Sequence, residues 1–234
     1  MQHIRSVILV HGAFVDGSSW SKVIGLISKR GLEIAAVQNP LTSLNDDVAA
    51  VKRALKALPV PALLVGHSWG GAVITEAGND DRVAGLVYVA AGAPDQNESF
   101  NDWWGKYPPS AVRVEIRTYG DDGFLYLTFR GVKDFFAEDL SEAEVFLIEA
   151  TQGLLAARCF DDKITEAAWR RKPSWYIVAE NDQTIPPSAQ HDAAGRMKAD
   201  KTIVASSHAV VLSNPSKAAE VILRAIDEFS KTDW

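Results

Sequence analysis

A single cysteine, Cys159, stands in the whole chain, so an internal disulfide is impossible and a reducing compartment, the cytoplasm, is the expected setting. With Arg158 and Phe160 as neighbours and no histidine close in sequence, Cys159 reads as a small packing residue rather than a nucleophile. Cations are also in short supply: 24 Lys and Arg face 30 Asp and Glu, a net charge of −6. No basic stripe exists to neutralise phosphates, which removes nucleic acid from the expected partners. Apolar runs are short, and none approaches the ~20 residues a membrane helix needs, so no membrane is expected. The opening Met1-Gln2-His3-Ile4-Arg5 has neither an apolar h-region nor a small-residue cleavage site, and no secretory signal is expected. Missing too are H-E-x-x-H, C-x-x-C and clustered carboxylates, so no metal is expected. The absence of G-x-G-x-x-G and G-x-x-x-x-G-K-[ST] loops removes nucleotides from the expected ligands. There is no internal repeat and no low-complexity tract.

What is present is enough for a large buried core: 234 residues, 47% of them hydrophobic. Short β-branched runs alternate with helical patterns. Strands are predicted at Ser6 to Val10, Glu33 to Val37, Ala62 to Val65, Val83 to Ala90, Trp175 to Ala179 and Thr202 to Ala205. Helices are predicted at Ser18 to Lys29, Leu44 to Leu58, just after Ser68, and Pro215 to Phe229. Such alternation predicts an α/β protein of three layers, a mostly parallel sheet of about six strands with helices on both faces. One connection breaks the rhythm. Ala91 to Pro173 spans about eighty residues with no clear sheet strand, many aromatics and a helical pattern from Asp139 to Leu155. A structureless loop of that length is improbable, so an inserted helical cap is predicted at 93–172, with 1–92 and 173–234 forming the core.

Gly66-His67-Ser68-Trp69-Gly70 matches G-x-S-x-G, a serine on a sharp strand-to-helix turn. Glycines are needed because the chain doubles back tightly on either side of the serine. The pentapeptide alone is weak, but Ala62-Leu63-Leu64-Val65 ends just before it and Gly71-Ala72-Val73-Ile74 continues it as a helix. There the backbone N–H of Trp69 and the helix dipole would face a developing oxyanion. A second donor is expected from the Ala13 N–H in His11-Gly12-Ala13-Phe14, after the first strand. His11 itself reads as a brace for that loop. Phe14 and Trp69 flank the donors and are the expected walls of the substrate pocket.

Five histidines compete for the role of base. His3 is terminal, His11 and His67 belong to the glycine motifs, and His191 sits beside Asp192 on a polar helix. His208 follows the last strand, in a loop at the carboxyl edge of the sheet, where ligands bind in such folds. Two acids emerge at the same edge in compatible chain order, Asp95 and Asp182. Glu180 and Asp81 read as solvated charges.

These motifs together resemble the cofactor-free α/β-hydrolases. The resemblance runs through His11-Gly12-Ala13-Phe14, Gly66-His67-Ser68-Trp69-Gly70-Gly71, Asp182 with Ile185-Pro186-Pro187 and Gln190, and Ser207-His208-Ala209 with Leu212-Ser213-Asn214-Pro215. It is nearest to small bacterial esterase-like hydrolases and to plant methylesterases and hydroxynitrile lyases. In that family the acid follows the strand after the cap, within G-x-x-D, which points to Asp182. Ala179 stands in place of the glycine. Hydroxynitrile lyases of the group carry a lysine directly after the base; Ala209 here disfavours lyase activity. Ser68 argues against dehalogenases and epoxide hydrolases, which place aspartate at the elbow. The usual first antiparallel hairpin is expected to be absent. The resemblance implies a carboxylic ester hydrolase with Ser68, His208 and Asp182 as triad, acting on a small apolar or aromatic ester, as monomer or homodimer. Fold membership leaves room for lactone, C–C bond or perhydrolase chemistry on the same triad, or for a ligand-binding, receptor-like member.

Overall fold

The computed structural model describes residues 3–231; the terminal residues 1–2 and 232–234, which the predicted core boundaries and the opening Met1-Gln2 reading take in, lie outside the described residues. The chain order is β1 (Ser6–Val10), α1 (Ser21–Ile27), β2 (Glu33–Val37), α2 (Leu44–Ala57), β3 (Ala62–His67), α3 (Gly70–Ala77) and β4 (Val83–Val89). Then come α4 (Phe100–Trp104), β5 (Ile116–Tyr119), β6 (Phe124–Leu127), α5 (Phe129–Gly131), α6 (Glu142–Thr151) and β7 (Leu155–Ala156). The chain closes with β8 (Ser174–Ala179), α7 (Pro187–Met197), β9 (Asp200–Val204), α8 (Val210–Ser213) and α9 (Pro215–Phe229).

Six strands form one parallel sheet in the order β2-β1-β3-β4-β8-β9. Its inner strands are buried on both faces, and their side chains divide with period two. Val7, Leu9, Leu63, Val65, Val87, Val89, Trp175 and Ile177 pack under α1 and α9 with Trp20, Val23, Val221, Ile222 and Phe229. Ile8, Val10, Leu64, Leu86, Tyr88, Tyr176 and Val178 face α2, α3 and α7 on the other side. Double-sided burial is why these strands read as unbroken apolar runs. The edge strands differ: β9 keeps Asp200, Lys201 and Ile203 exposed, and β2 keeps Glu33 exposed. Among the described residues no helix is long and apolar enough to cross a membrane.

The order reverses beside β1. The chain runs from β1 outward to β2 and returns to β3 on the other side, so the loops after β1 and β3 leave the sheet side by side, with Val10 opposite Gly66. A crevice at such a reversal is where ligands sit in open parallel sheets.

The excursion between β4 and β8 is mixed rather than helical. It carries a second, three-stranded antiparallel sheet, β5-β6-β7, besides its short helices. Gly120 and Gly123, at φ 64° and 83°, turn the β5–β6 hairpin; only glycine takes this backbone without strain. The helical stretch predicted from Asp139 to Leu155 is confined to Glu142–Thr151, where Ser141 and Glu144 form a reciprocal capping box. Residues 152–156 then extend to join the small sheet, and the Ala156 N–H donates to the Leu41 carbonyl of the loop after β2 at 2.8 Å.

Candidate active site

β3 runs two residues further than its apolar stretch, through Gly66 and His67, and delivers Ser68 at φ 54°, in the left-handed region. A non-glycine residue there costs on the order of 1–3 kcal/mol and persists only where its surroundings over-determine it. The Ser68 N–H donates to Val89 O at 3.1 Å, and its carbonyl accepts from Gly71 and Gly92 at 3.0 and 3.1 Å. Gly12 explains the second glycine motif: a Cβ there would lie 2.7 Å from Ser68 Cβ and 3.2 Å from Ser68 Oγ. The loop after β1 thus rests directly on the serine.

The loops after β8 and β9 bring the other two groups. His208 Nε2 lies 2.7 Å from Ser68 Oγ, and His208 Nδ1 lies 2.6 Å from Asp182 Oδ2. A carboxylate only accepts, so Nδ1–H donates to Asp182 and Nε2 is left to accept from the serine hydroxyl. Asp182 is held on both oxygens. Oδ1 accepts from the Thr184 and Ile185 amides at 2.7 and 2.8 Å, and Oδ2 also accepts from Gln190 Nε2 at 2.7 Å. Gln190 is itself fixed, donating to Ile185 O at 2.8 Å and accepting from Ala179 N at 2.9 Å. All of this is buried, with His208 fully inaccessible. The pair therefore interacts in a medium of low dielectric, where a fixed carboxylate acts strongly on an adjacent imidazole.

His67 supports the base from behind. Its Nε2–H donates to the His208 carbonyl at 2.9 Å, and the two rings lie 4.9 Å apart. Burial, with the neighbouring His208 adding to it, pushes His67 down to about 3, so it stays neutral.

The cavity at Ser68 is small, about 20 Å³, which is room for one water. Ala13, Phe14 and Trp69 line it from the core, as do Thr184 and Ile185. The excursion adds Phe100, Trp104, Ile116, Phe136 and Phe160. Trp103, Tyr126, Phe129 and Phe146 are absent from its walls, so the aromatics of 93–172 divide between cavity and local packing. Ala13 and Trp69 both line the cavity, and neither backbone N–H donates to a described residue. A larger groove, about 210 Å³, lies between Val15–Lys22 and α6 and contains none of these groups.

One wall has an anchor that sequence inspection missed. Trp69 Nε1–H donates to Asp47 Oδ2 at 2.8 Å, and Asp47 Oδ1 accepts from the Leu41 amide at 2.7 Å. Asp47 is inaccessible to solvent, and burial pushes it up to about 6 against the pull of these two donors. Its only trace in the sequence is an acidic residue in the first turn of a helix, which is ordinary.

The remaining candidates are engaged elsewhere. Asp95 forms a two-bond ion pair with Arg170, at 2.7 and 2.5 Å, and does not reach His208. His11 donates from Nδ1 to Gly12 O at 2.8 Å while Nε2 accepts from the Asn39 amide at 3.0 Å, a brace for the loop after β1. His191 pairs with Glu180 at 2.7 Å. Cys159 is buried, and burial pushes its thiol up to about 12, far from the thiolate a nucleophile needs.

Comparison with known proteins follows the same lines. The sequence model of the alpha/beta hydrolase family matches residues 7–221. The chain is an alpha/beta hydrolase. Among relatives of this hydrolase, a pyrethroid hydrolase of Sphingobium wenxiniae is 24% identical, over 94% of this chain and 86% of that protein. Polyneuridine aldehyde esterase of Rauvolfia serpentina is 22% identical, over 95% and 96%. The crystal structure of a methylesterase from Arabidopsis superposes with a TM-score of 0.80 at 19% identity, covering 96% of the hydrolase and 99% of that chain. The expected membership in the alpha/beta hydrolases stands, and the enzyme class with it, beside relatives that are named as a hydrolase and an esterase.

Proposed function

We propose that this hydrolase cleaves a small carboxylic ester with an apolar or aromatic acyl group, through an acyl-enzyme on Ser68. The observation that carries the proposal is the continuous chain Ser68 Oγ, His208, Asp182, with links of 2.7 and 2.6 Å. His208 takes the hydroxyl proton as Ser68 Oγ attacks the ester carbonyl carbon. Negative charge gathers on the carbonyl oxygen, toward the Ala13 and Trp69 amides. His208 then passes its proton to the departing alkoxide, which leaves as the alcohol. A water, deprotonated by His208, attacks the acyl-enzyme; the carboxylic acid leaves and Ser68 recovers its proton. Asp182 keeps the imidazole in the required tautomer and stabilises it while it is charged.

Residues 93–172 serve as a cap, and the substrate class follows from the walls they add. Phe100 and Phe160 stack at 5.1 Å and both meet Trp69 edge-on at 5.8 Å, an apolar lining with no charge to greet an ionic acyl group. With room for about one water, the cavity favours short acyl chains and requires cap side chains to move for anything larger.

Ser68→Ala, assayed on a panel of nitrophenyl and methyl esters of increasing acyl length, tests this. Turnover is expected to fall by on the order of 10⁴-fold or more, and labelling by a fluorophosphonate to disappear. Wild-type turnover in the variant, or a preference for long-chain esters in the parent, would contradict the proposal.

A further inference from the structure

Both loops that carry the triad partners of Ser68 are tied to one stretch of the excursion, residues 134–139. On the base loop, Asp139 Oδ2 accepts from the Ser207 amide at 2.9 Å and Asp139 Oδ1 accepts from Ser207 Oγ–H at 2.5 Å. Ser207 Oγ in turn accepts from the Ala209 amide at 3.1 Å. The residues on either side of His208 are therefore closed into one hydrogen-bonded unit hung on Asp139. The Phe136 carbonyl also accepts from the Ala209 amide at 3.1 Å, and the Phe136 ring stands edge-on to the His208 ring at 4.8 Å. On the acid loop, the Phe135 carbonyl accepts from Thr184 Oγ–H at 3.0 Å and the Asp134 carbonyl accepts from Gln183 Nε2 at 3.2 Å.

The backbone of this stretch is suited to the task. Val132–Phe136 is a π-helical turn, closed by Ala137 N–H to Val132 O at 2.8 Å. The turn ends at Ala137, so the carbonyls of Asp134, Phe135 and Phe136 are not consumed by a continuing helix and point out to the two loops. Such turns recur at functional sites. Ser206 and Ser207 are almost wholly buried, so their polar groups depend on protein partners rather than on bulk water.

We propose that Asp139 is a positioning residue for His208, and that residues 134–139 set the spacing between the base and acid loops. The excursion is then part of the catalytic assembly and not only a cover over it. This rests on the triad proposed above. Asp139 touches neither substrate nor reacting atoms; it acts through Ser207.

The test is steady-state kinetics of Asp139→Ala, Asp139→Asn, Ser207→Ala and the Asp139→Ala/Ser207→Ala double variant on nitrophenyl acetate. Glu142→Gln, which removes a neighbouring surface charge, is the control. Loss of Asp139 lets the imidazole drift, and a displacement of that kind costs up to ~10²-fold. Asp139→Ala is expected to lower kcat on the order of 10- to 100-fold with KM unchanged. Asp139→Asn, which keeps one acceptor oxygen, falls between it and the parent, and the double variant is no slower than Asp139→Ala alone. The downfield proton resonance of the His208–Asp182 hydrogen bond broadens in Asp139→Ala, a change a merely structural role would not produce. If Asp139→Ala fails to fold, Asp139→Asn and Ser207→Ala carry the same expectation. Unchanged kcat in the folded variants overturns the proposal. Ser68→Ala in the same assay separates the two failures: if it retains turnover the triad itself falls, and if it is dead while the Asp139 and Ser207 variants run at the parental rate, only the positioning role falls.

Discussion

Replacing Asp47 with asparagine removes a buried titratable group, and with it a measurable dependence of stability on pH. Asp47 carries its proton up to about 6 in the folded chain, against 3.8 for an unperturbed aspartate. The folded state therefore binds a proton more tightly than the unfolded state, and stability falls as pH rises between the two values. The shift of about 2.2 units corresponds to about 3 kcal/mol at 1.36 kcal/mol per unit. That contribution is fully present below about pH 3.8 and is lost once pH has risen through 6. About 2 kcal/mol of it is lost between pH 4.5 and 7.5, a window reachable by urea denaturation. Asparagine does not titrate, so the parent should lose about 2 kcal/mol relative to Asp47→Asn across that window. Asparagine also offers one acceptor oxygen to two donors, Trp69 Nε1–H and the Leu41 amide, which lowers its stability by a roughly constant ~1–3 kcal/mol. The two effects separate cleanly, because only the first depends on pH. Stability curves of parent and variant that run parallel from pH 4.5 to 7.5 would refute the reasoning, whatever their offset.

Gly12→Ala places a methyl group 2.7 Å from Ser68 Cβ and should reduce turnover by at least ~10²-fold while the thermal midpoint moves little, read by esterase assay beside circular dichroism. Trp69→Phe removes the donor to Asp47 and part of the cavity wall. It should cost about 1.5–3 kcal/mol at neutral pH and shift the preferred acyl chain toward greater length, both measurable in one variant. Gln190→Leu strips one bond from Asp182 and one from Ala179 and should lower kcat about ten-fold at constant KM; a pure KM effect would exclude a role behind the acid.

Much of this molecule is legible in its sequence, for a physical reason. Strands buried on both faces must be apolar throughout, and β1 and β2 were located to the residue, as was α9 between Pro215 and Phe229. Ser68 and Gly12 were visible because tight turns and close approach demand glycine at set positions. The 93–172 segment was harder. Its strands are four, four and two residues long, with β5 mostly exposed, β6 mostly half-buried and β7 buried but only two residues long, and so lack the apolar signature of the main sheet. The turn signal Gly120-Asp121-Asp122-Gly123 is present, but the strands it joins are too short to show a periodicity beside it. Asp47 and Asp139 carry no distinctive local mark, because the bonds that give them their roles reach partners 22 and 68 positions away. Sequence spacing carries no record of such pairings. His67, marked in the sequence only as a member of the Gly66-to-Gly70 motif, is likewise defined by a carbonyl 141 residues downstream.

The open rims of the main sheet have a consequence for handling this protein at high concentration. A parallel sheet that does not close leaves unpaired backbone along its outer strands, and a second molecule could add to it in amyloid-like fashion. Along β9, Asp200 and Lys201 interrupt that template at its first two positions, and Arg224 reaches across to Asp200 at 3.3 Å. Any stranger docking there would have to strip water from these charges. Neutralising both Asp200 and Lys201 would leave exposed Ile203 as the dominant feature of the rim and turn a guarded border into a sticky one.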